Sequence, residues 1–415
     1  MIHKGIVCAA LCAAACGGGI KHTRIVQPTS EDVSAAELAK VGRITSMRES
    51  GGTLFIGAEK GLAAVDASGK VLWTVELPAA TARLIEADAD GVAFDSFDAD
   101  GVEQAGAVSA FLLGDLGDEP HFKDQTIGAA TRDGKLLFTA PAKTGITRMS
   151  PPGLSKDGIA VSRGRGFFVY SRADGHELGS TAMGSEGGLG ESIVLNASFN
   201  RPAFLNGSWY ASHLSEFVKT DATGKEQDRT RMWSLFLALE NLAVGPVVFK
   251  DRLVVGAAPS GAGKKPAVFG FDRDGGKDWK EFVDDKLSGV GSITSNSKLL
   301  YVATNFHVVA MSEKGSTKWE KVNGGGGLYP SKYRGLRFTQ NFGARRSQGQ
   351  LILADEKTVY VASKYQDGDA LTALNAESGE YQGSLPLGTH VTDMAFVGGK
   401  IALATDDGLK LITPL

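Results

Sequence analysis

The chain repeats itself, and a repeat that reads apolar run, apolar run, glycine turn, strand restricts it to architectures that lay one small sheet against the next. The clearest copy runs Leu54-Phe55-Ile56-Gly57, then Leu62-Ala63-Ala64-Val65-Asp66-Ala67-Ser68-Gly69-Lys70-Val71-Leu72-Trp73. A second reads Leu253 to Gly256, Val268 to Phe271, Asp272, Gly275 and Trp279, and a third reads Leu300 to Ala303, Val308 to Met311, Gly315 and Trp319. Weaker copies pair Ile159 to Ser162 with Phe167 to Tyr170, Trp209 to Ser212 with Phe217, Val359 to Ala362 with Leu371 to Asn375, and Ile401 to Ala404 with Leu409 to Ile412. Val92 to Phe94 with Val108 to Leu112 makes one more, for a total of eight.

Strands of four or five residues joined by short turns give antiparallel hairpins with period-two alternation, and one such sheet cannot bury both faces. Arranged radially, each blade covers its neighbour and the ring closes, as in a β-propeller. From residue 40 to 415, eight copies average about 47 residues, the length of a four-stranded blade. Gly69, Gly275 and Gly315 supply the positive φ of a tight hairpin, and Trp73, Trp279 and Trp319 can pack between blades. The expected fold is all-β, an eight-bladed propeller of four-stranded blades, with seven the alternative count. The last copy ends after its third strand, so an N-terminal strand within Lys21 to Gln27 or around Val41 to Met47 is expected to close the ring. Glycine makes up 54 of 415 residues, nearly twice the usual share of about 7%, yet 42% of the chain is hydrophobic, which excludes disordered and collagen-like classes.

The unit from Leu62 to Trp73 resembles the PQQ-like propeller repeat, and the resemblance covers nearly the whole chain after the N-terminal segment. It implies one of two functions. One is a quinoprotein dehydrogenase holding pyrroloquinoline quinone with a divalent ion. The other is a non-catalytic propeller lipoprotein similar to the B component of the outer-membrane β-barrel assembly machine. The repeat's Trp and Gly are structural in both. Catalysis would need a carboxylate base, a metal site and cations for the cofactor. The sequence shows no vicinal cysteines, no Cys-x-x-Cys-His and no His-Glu-x-x-His, and its seven histidines are scattered. His176 and His390 fall in expected turns and His307 opens a strand. The reading is therefore no catalytic residue, no metal ligand and no cofactor.

The N-terminus supplies an address. His3 and Lys4 precede an apolar run from Gly5 to Ala15, too short to span a bilayer, that ends in small residues before Cys16. The stretch Leu11-Cys12-Ala13-Ala14-Ala15-Cys16 resembles a bacterial lipoprotein signal, although Ala13 stands where such signals usually carry Leu, and Cys16 would then bear the lipid. All three cysteines, Cys8, Cys12 and Cys16, lie in this segment, so the fold uses no disulfide. The domains expected are a signal peptide over 1–15, a lipidated Cys16 with a flexible tether over 16–39, and a propeller over 40–415. Loss of residues 1–15 removes Lys4 and no acid, taking the formal charge from −3 to −4. Gly17 is not the Asp that holds lipoproteins at the inner membrane, so the resemblance favours the outer membrane, facing the periplasm or the outside.

Two segments depart from the repeat. Glu86, Asp88, Asp90, Asp95, Asp98, Asp100 and Glu103 cluster without a base, as in calcium loops, but Asp90-Gly91 and Asp100-Gly101 are hairpin signals, and the EF-hand spacing is not completed. Tight turns are the expected reading. From Gly324 to Gln350 an insertion carries Tyr329, Lys332, Tyr333, Arg334, Arg337, Phe338, Phe342, Arg345 and Arg346 and no acid. Loops on rigid scaffolds concentrate binding residues, and Arg with aromatics is the hot-spot composition of protein interfaces. A smaller candidate surface is Gly184 to Gly190. Nucleic acid is not expected, because five charges on one loop of an acidic exported chain give only a local field. The chain reads as a scaffold docking envelope protein partners, with outer-membrane protein assembly the most concrete setting and membrane contact through the lipid alone. A carbohydrate or small-ligand binder using the central channel, or a quinone- or metal-dependent enzyme, are the alternatives. Replacing Cys16→Ser is expected to move the protein from the membrane to the soluble fraction on fractionation, and unchanged membrane association would exclude the lipid.

Overall fold

The computed structural model describes residues 30–33, 35–77, 82–97, 126–141, 150–163, 166–183, 200–213, 216–231, 241–258, 265–284, 290–304, 307–322, 351–363 and 369–414. Among these, thirty-two strands form eight four-stranded antiparallel sheets. Blade 1 is Ile44–Ser50, Thr53–Ala58, Gly61–Asp66 and Val71–Glu76, paired in that order. Blades 2 to 7 follow the same order and begin at Ala82, Gly153, Ala203, Asn241, Ser292 and Leu351. The first strand of each blade touches the first strand of the next, and the first strand of blade 8, Val391–Val397, touches that of blade 1, so these strands form the inner wall of a closed eight-bladed propeller.

Blade 8 takes its outer strand from the other end of the chain. Ser30–Asp32 pairs with Gly408–Ile412, Ser30 opposite Ile412 and Asp32 opposite Lys410. The closing strand therefore lies neither in 21–27 nor around 41–47. The propeller begins near residue 30 rather than 40, inside the stretch assigned to the tether, and Ile44–Ser50 is instead the inner strand of blade 1. A short helix, Ala35–Leu38, and a 3-10 turn, Ala39–Val41, carry the chain from one blade to the other. Val33, Leu38 and Val41 are buried there with Val65, Val397 and Leu411, so the seam between blades 8 and 1 has its own apolar core.

Blade 2 also differs from expectation. Its second strand, Gly91–Phe97, pairs with Thr126–Thr131 rather than with Val108 to Leu112, which lie outside the described residues. Thr126–Thr131 is a strand of small residues because the ring of Phe94 fills the space a side chain at Gly128 would need.

Period-two alternation of burial is clear in the outer strands of blades 2 and 3, Leu136–Pro141 and Glu177–Ala182. The middle strands are covered on both faces by neighbouring blades, and Thr53–Ala58 is buried throughout. The fourth strand of each of blades 1 to 7 carries a β-bulge at one fixed position, with Leu72, Leu137, Leu178, Gln227, Asp278, Lys318 and Gln382 as the extra residue. Bulges twist an exposed edge away from further strand pairing, which is the hazard of eight outward-facing edges.

The next residue after the bulge is directed at the following blade. Trp73 lies where a Cβ on Gly134 would meet its ring at 2.6 Å, Trp279 does the same at Gly315 at 2.5 Å, and Trp319 at Gly379 at 2.7 Å. The glycines of these turns sit at positive φ: Gly69 at 88°, Gly275 at 90° and Gly315 at 78°. Each indole also donates across the gap, Trp73 Nε1 to Arg132 O at 2.9 Å, Trp279 Nε1 to Glu313 O at 3.0 Å and Trp319 Nε1 to Ala376 O at 3.0 Å. Trp319→Ala should lower stability by about 3 kcal/mol or more, combining a cavity with one lost hydrogen bond, while Ala376 O keeps the Tyr301 hydroxyl as donor at 3.2 Å. Urea unfolding checks this, and an unchanged midpoint would show that the blade contact contributes little.

Candidate binding face

Antiparallel topology separates the two ends of the ring. Connections between first and second strands, and between third and fourth, all fall at one end and are two to five residues long, such as 51–52, 89–90, 67–70 and 172–176. Connections between second and third strands, and from one blade to the next, fall at the other end. These include 98–125, 142–152, 183–202, 232–240, 259–266, 283–291 and 323–350. Long connections on a rigid ring are where partner contacts concentrate.

The tight-turn end is held together blade to blade. Arg132 of blade 2 donates to Gly51 O at 2.7 Å and to Thr53 Oγ1 at 2.9 Å in blade 1. Arg172 of blade 3 forks onto the Asp88 carboxylate of blade 2 at 2.6 and 2.7 Å. Arg252 of blade 5 reaches Glu313 of blade 6 at 3.2 Å, and Ser297 of blade 6 donates to Glu356 of blade 7 at 2.6 Å. Burial opposes charge on Asp88, but Arg172 and the N–H groups of Asp90 and Gly91 outweigh it, so the carboxyl titrates below its ordinary value. The acidic stretch is thus a tight turn here: Asp88 Oδ1 accepts from Asp90 N at 2.9 Å and Gly91 N at 3.2 Å. Asp98, Asp100 and Glu103 lie outside the described residues.

A second cluster surrounds the axis. Arg48 and Glu86 occupy the same position, two residues from the end of the first strands of blades 1 and 2, and stand 3.5 Å apart. Arg201, just before the first strand of blade 4, also pairs with Glu86 and donates to Ile85 O at 3.1 Å. On the other side Arg48 meets Asp393 of blade 8 at 3.5 Å, while Asp393 accepts from Met47 N at 2.8 Å and Met394 N at 3.0 Å. Alternating charges thus link blades 8, 1, 2 and 4 across the inner wall. Nearby Arg83 is buried, which lowers its guanidinium to about 10, and it donates to Ala58 O at 2.8 Å. Of this cluster the sequence singles out only Glu86, as part of the acidic stretch, since the members are far apart in the chain and none sits in the repeated motif.

The dehydrogenase branch of this fold implies a quinone with a divalent ion, which needs carboxylates open to the metal. Glu86 and Asp393 are already occupied by arginines and main-chain N–H groups, and among the described residues no three His, Cys, Asp or Glu side chains could share an ion. The axial residues do not fit that group. His307 pairs with Glu320 at 2.6 Å, His390 with the buried Asp369 at 3.0 Å, and His176 with Asp174 at 2.6 Å.

Of the residues assigned to partner binding, Tyr329, Lys332, Tyr333, Arg334, Arg337, Arg345 and Arg346 lie outside the described residues, as do Cys16 and Gly184 to Gly190. What the structure fixes is where those connections depart: 323–350 leaves the fourth strand of blade 6 and 183–202 that of blade 3, both at the end opposite the tight turns.

The family model described as outer membrane protein assembly factor BamB matches residues 23–281, well over half of the chain. No curated protein matches it by sequence. Among solved structures, BamB from Moraxella catarrhalis superposes with a TM-score of 0.59 at 12% identity, covering 94% of this chain and 99% of that one. Sqt1 of Saccharomyces cerevisiae gives 0.58 at 10% identity over 91% and 96%, and the computationally designed Ika8 protein 0.57 at 12% over 90% and 97%. At these identities the likeness is one of fold.

Because Asp88 titrates lower folded than unfolded, its contribution is present above the unfolded value of about 3.9 and is lost as pH falls through the folded one. Asp88→Asn should therefore cost no more than about 1 kcal/mol at pH 7, given its partial exposure, and the difference from wild type should vanish in acid. Denaturation across pH checks both; a deficit that persists in acid would assign the effect to lost hydrogen bonds instead.

Proposed function

The chain belongs to the family described as outer membrane protein assembly factor BamB, and from that premise we propose that it is a non-catalytic propeller scaffold, lipid-anchored through Cys16, that docks protein partners in the cell envelope, with outer-membrane protein assembly as its setting. The observation that carries this reading is the asymmetry of the ring. One end is consumed by contacts between blades, and the other sends out every long connection. Such a ring presents several independent loops to a partner while its shape is held by groups the partner never touches.

The basic, aromatic-rich connection from blade 6 to blade 7 is the docking element of choice, with Arg345, Arg346, Arg334 and Arg337 as charge partners and Tyr329 and Tyr333 as anchors. The occupied carboxylates of the axis favour a scaffold over a quinone- or metal-dependent enzyme, and membrane contact through the anchor suits a periplasmic, outer-membrane-associated protein. Arg345→Glu with Arg346→Glu is expected to reduce recovery of crosslinked envelope partners at least about tenfold, the scale of losing hot-spot charges, with the unfolding midpoint unchanged. Full recovery with the double variant would remove this loop from the interface. Recovery of a stoichiometric quinone without a protein partner would replace the scaffold by the enzyme.

A further inference from the structure

We propose that the outer rim of blades 1 to 3, at the tight-turn end, is a surface that rests on a lipid bilayer. Leu72, Leu137 and Leu178 are 47%, 40% and 36% exposed, and they are the bulge residues of three consecutive blades. Isolated exposed leucines are ordinary. Here the same molecule supplies its own control, because the next four blades place Gln227, Asp278, Lys318 and Gln382 at that position. The position accepts polar residues without loss of the bulge, so the fold does not require leucine there. Lys70 and Lys135 stand exposed two residues before Leu72 and Leu137, while Asp66 of the first turn is directed onto the N–H groups of Ser68 and Lys70 at 2.8 and 3.0 Å. A leucine beside a long cationic side chain can sink into the headgroup region while the ammonium stays at the phosphates.

The occupant is indicated by where the chain leaves the ring. Ser30 lies opposite Ile412, at the tight-turn end of blade 8, next to blade 1. Thirteen residues separate it from Cys16, and a coil of that length has a root-mean-square span of about 20 Å. An anchored chain would thus hold this rim close to the bilayer, with the leucines on the three blades next after the exit point. This rests on the lipid-anchor reading. A strand-adding partner is opposed by the bulge at each leucine. A stable protein interface would bury about 800 Å² per partner, far more than three separate leucines on a convex rim present.

The test uses the mature chain, residues 17–415, made without lipid, which holds every described strand, and flotation with vesicles of phosphatidylethanolamine and phosphatidylglycerol. Wild type should float with the vesicles. The triple variant Leu72→Gln, Leu137→Gln, Leu178→Gln should partition about tenfold less, with an unchanged urea midpoint. Equal partitioning of the two, or no binding by wild type, overturns the proposal, and so does a triple variant that keeps vesicle binding but loses a crosslinked envelope protein. Palmitate incorporation at Cys16, measured separately, distinguishes the two readings. Incorporation with no leucine effect retains the anchor and removes the rim, whereas a leucine effect without incorporation retains the rim surface and removes the anchor.

Discussion

Three residues, Ser30–Asp32, join the two ends of the chain by strand pairing, and the contact of the first strands of blades 8 and 1 closes the ring on its inner side. They pair with Gly408–Ile412, almost the full length of the chain away. Closing a loop of that length costs about 3 kcal/mol more than closing one of ten residues. A strand of Ser, Glu and Asp brings no apolar residue to offset this. The offset comes from the segment directly after them, where Val33, Leu38 and Val41 pack against Val397, Leu409 and Leu411 and seal blade 8 to blade 1 with an apolar layer like those inside the ring. The short helical segment is thus part of the closure rather than a spacer, and the first strand of blade 1 takes its place on the inner wall because that seam is filled.

Closure also fixes which end of the ring is free. Once the blades are locked in a circle, each tight turn lies against the next blade, and its polar groups are met there by Arg132, Arg172, Arg252 and the indoles. A residue change at that end disturbs two blades at once. The opposite end has its own contacts between blades, Arg83 onto Ala58 O and Arg229 onto Ala182 O, yet the connections there vary from two residues to many without disturbing the pairing of any strand. Rigidity at one end and variability at the other arise from the same antiparallel topology, and this is why the loop-bearing end is the face proposed above for partner docking.

How much of the fold is legible in the chain depends on whether the determinant is local. The copies with Trp73, Trp279 and Trp319 are readable because turn glycine and aromatic lie four residues apart, and the same spacing from Gly134 to Phe138 marks the true third strand of blade 2. That strand escapes a reading by hydrophobicity because Thr126–Thr131 is made of small residues fitted against Phe94, while the more apolar Val108 to Leu112 competes for the place. Ser30–Asp32 is illegible for a related reason, since a three-residue polar strand acts through its main chain and leaves no hydrophobic pattern. The axial pairs of Arg48, Glu86, Arg201 and Asp393 join residues up to 345 positions apart, and no spacing rule reaches that far.

The degeneracy of the repeat has a physical cause as well. The acceptor that each indole seeks is a main-chain carbonyl in the next blade's turn, two residues before the glycine for Trp73 and Trp279. A carbonyl cannot be mutated away, so the donor is free to change identity. At the junction of blades 4 and 5, Asp228 stands where an aromatic would be, and Tyr210 from the second strand sends its hydroxyl to the equivalent carbonyl, Arg273 O, while stacked rings of Phe217 and Phe271 fill the gap 3.9 Å apart. At the junction of blades 3 and 4 the position is Gly179, and Thr181 donates to Gly224 O at 2.6 Å instead. The blade contact is therefore kept in geometry but not in residue, and a repeat whose invariant part is backbone will read as three good copies and five poor ones even when all eight blades are equally formed.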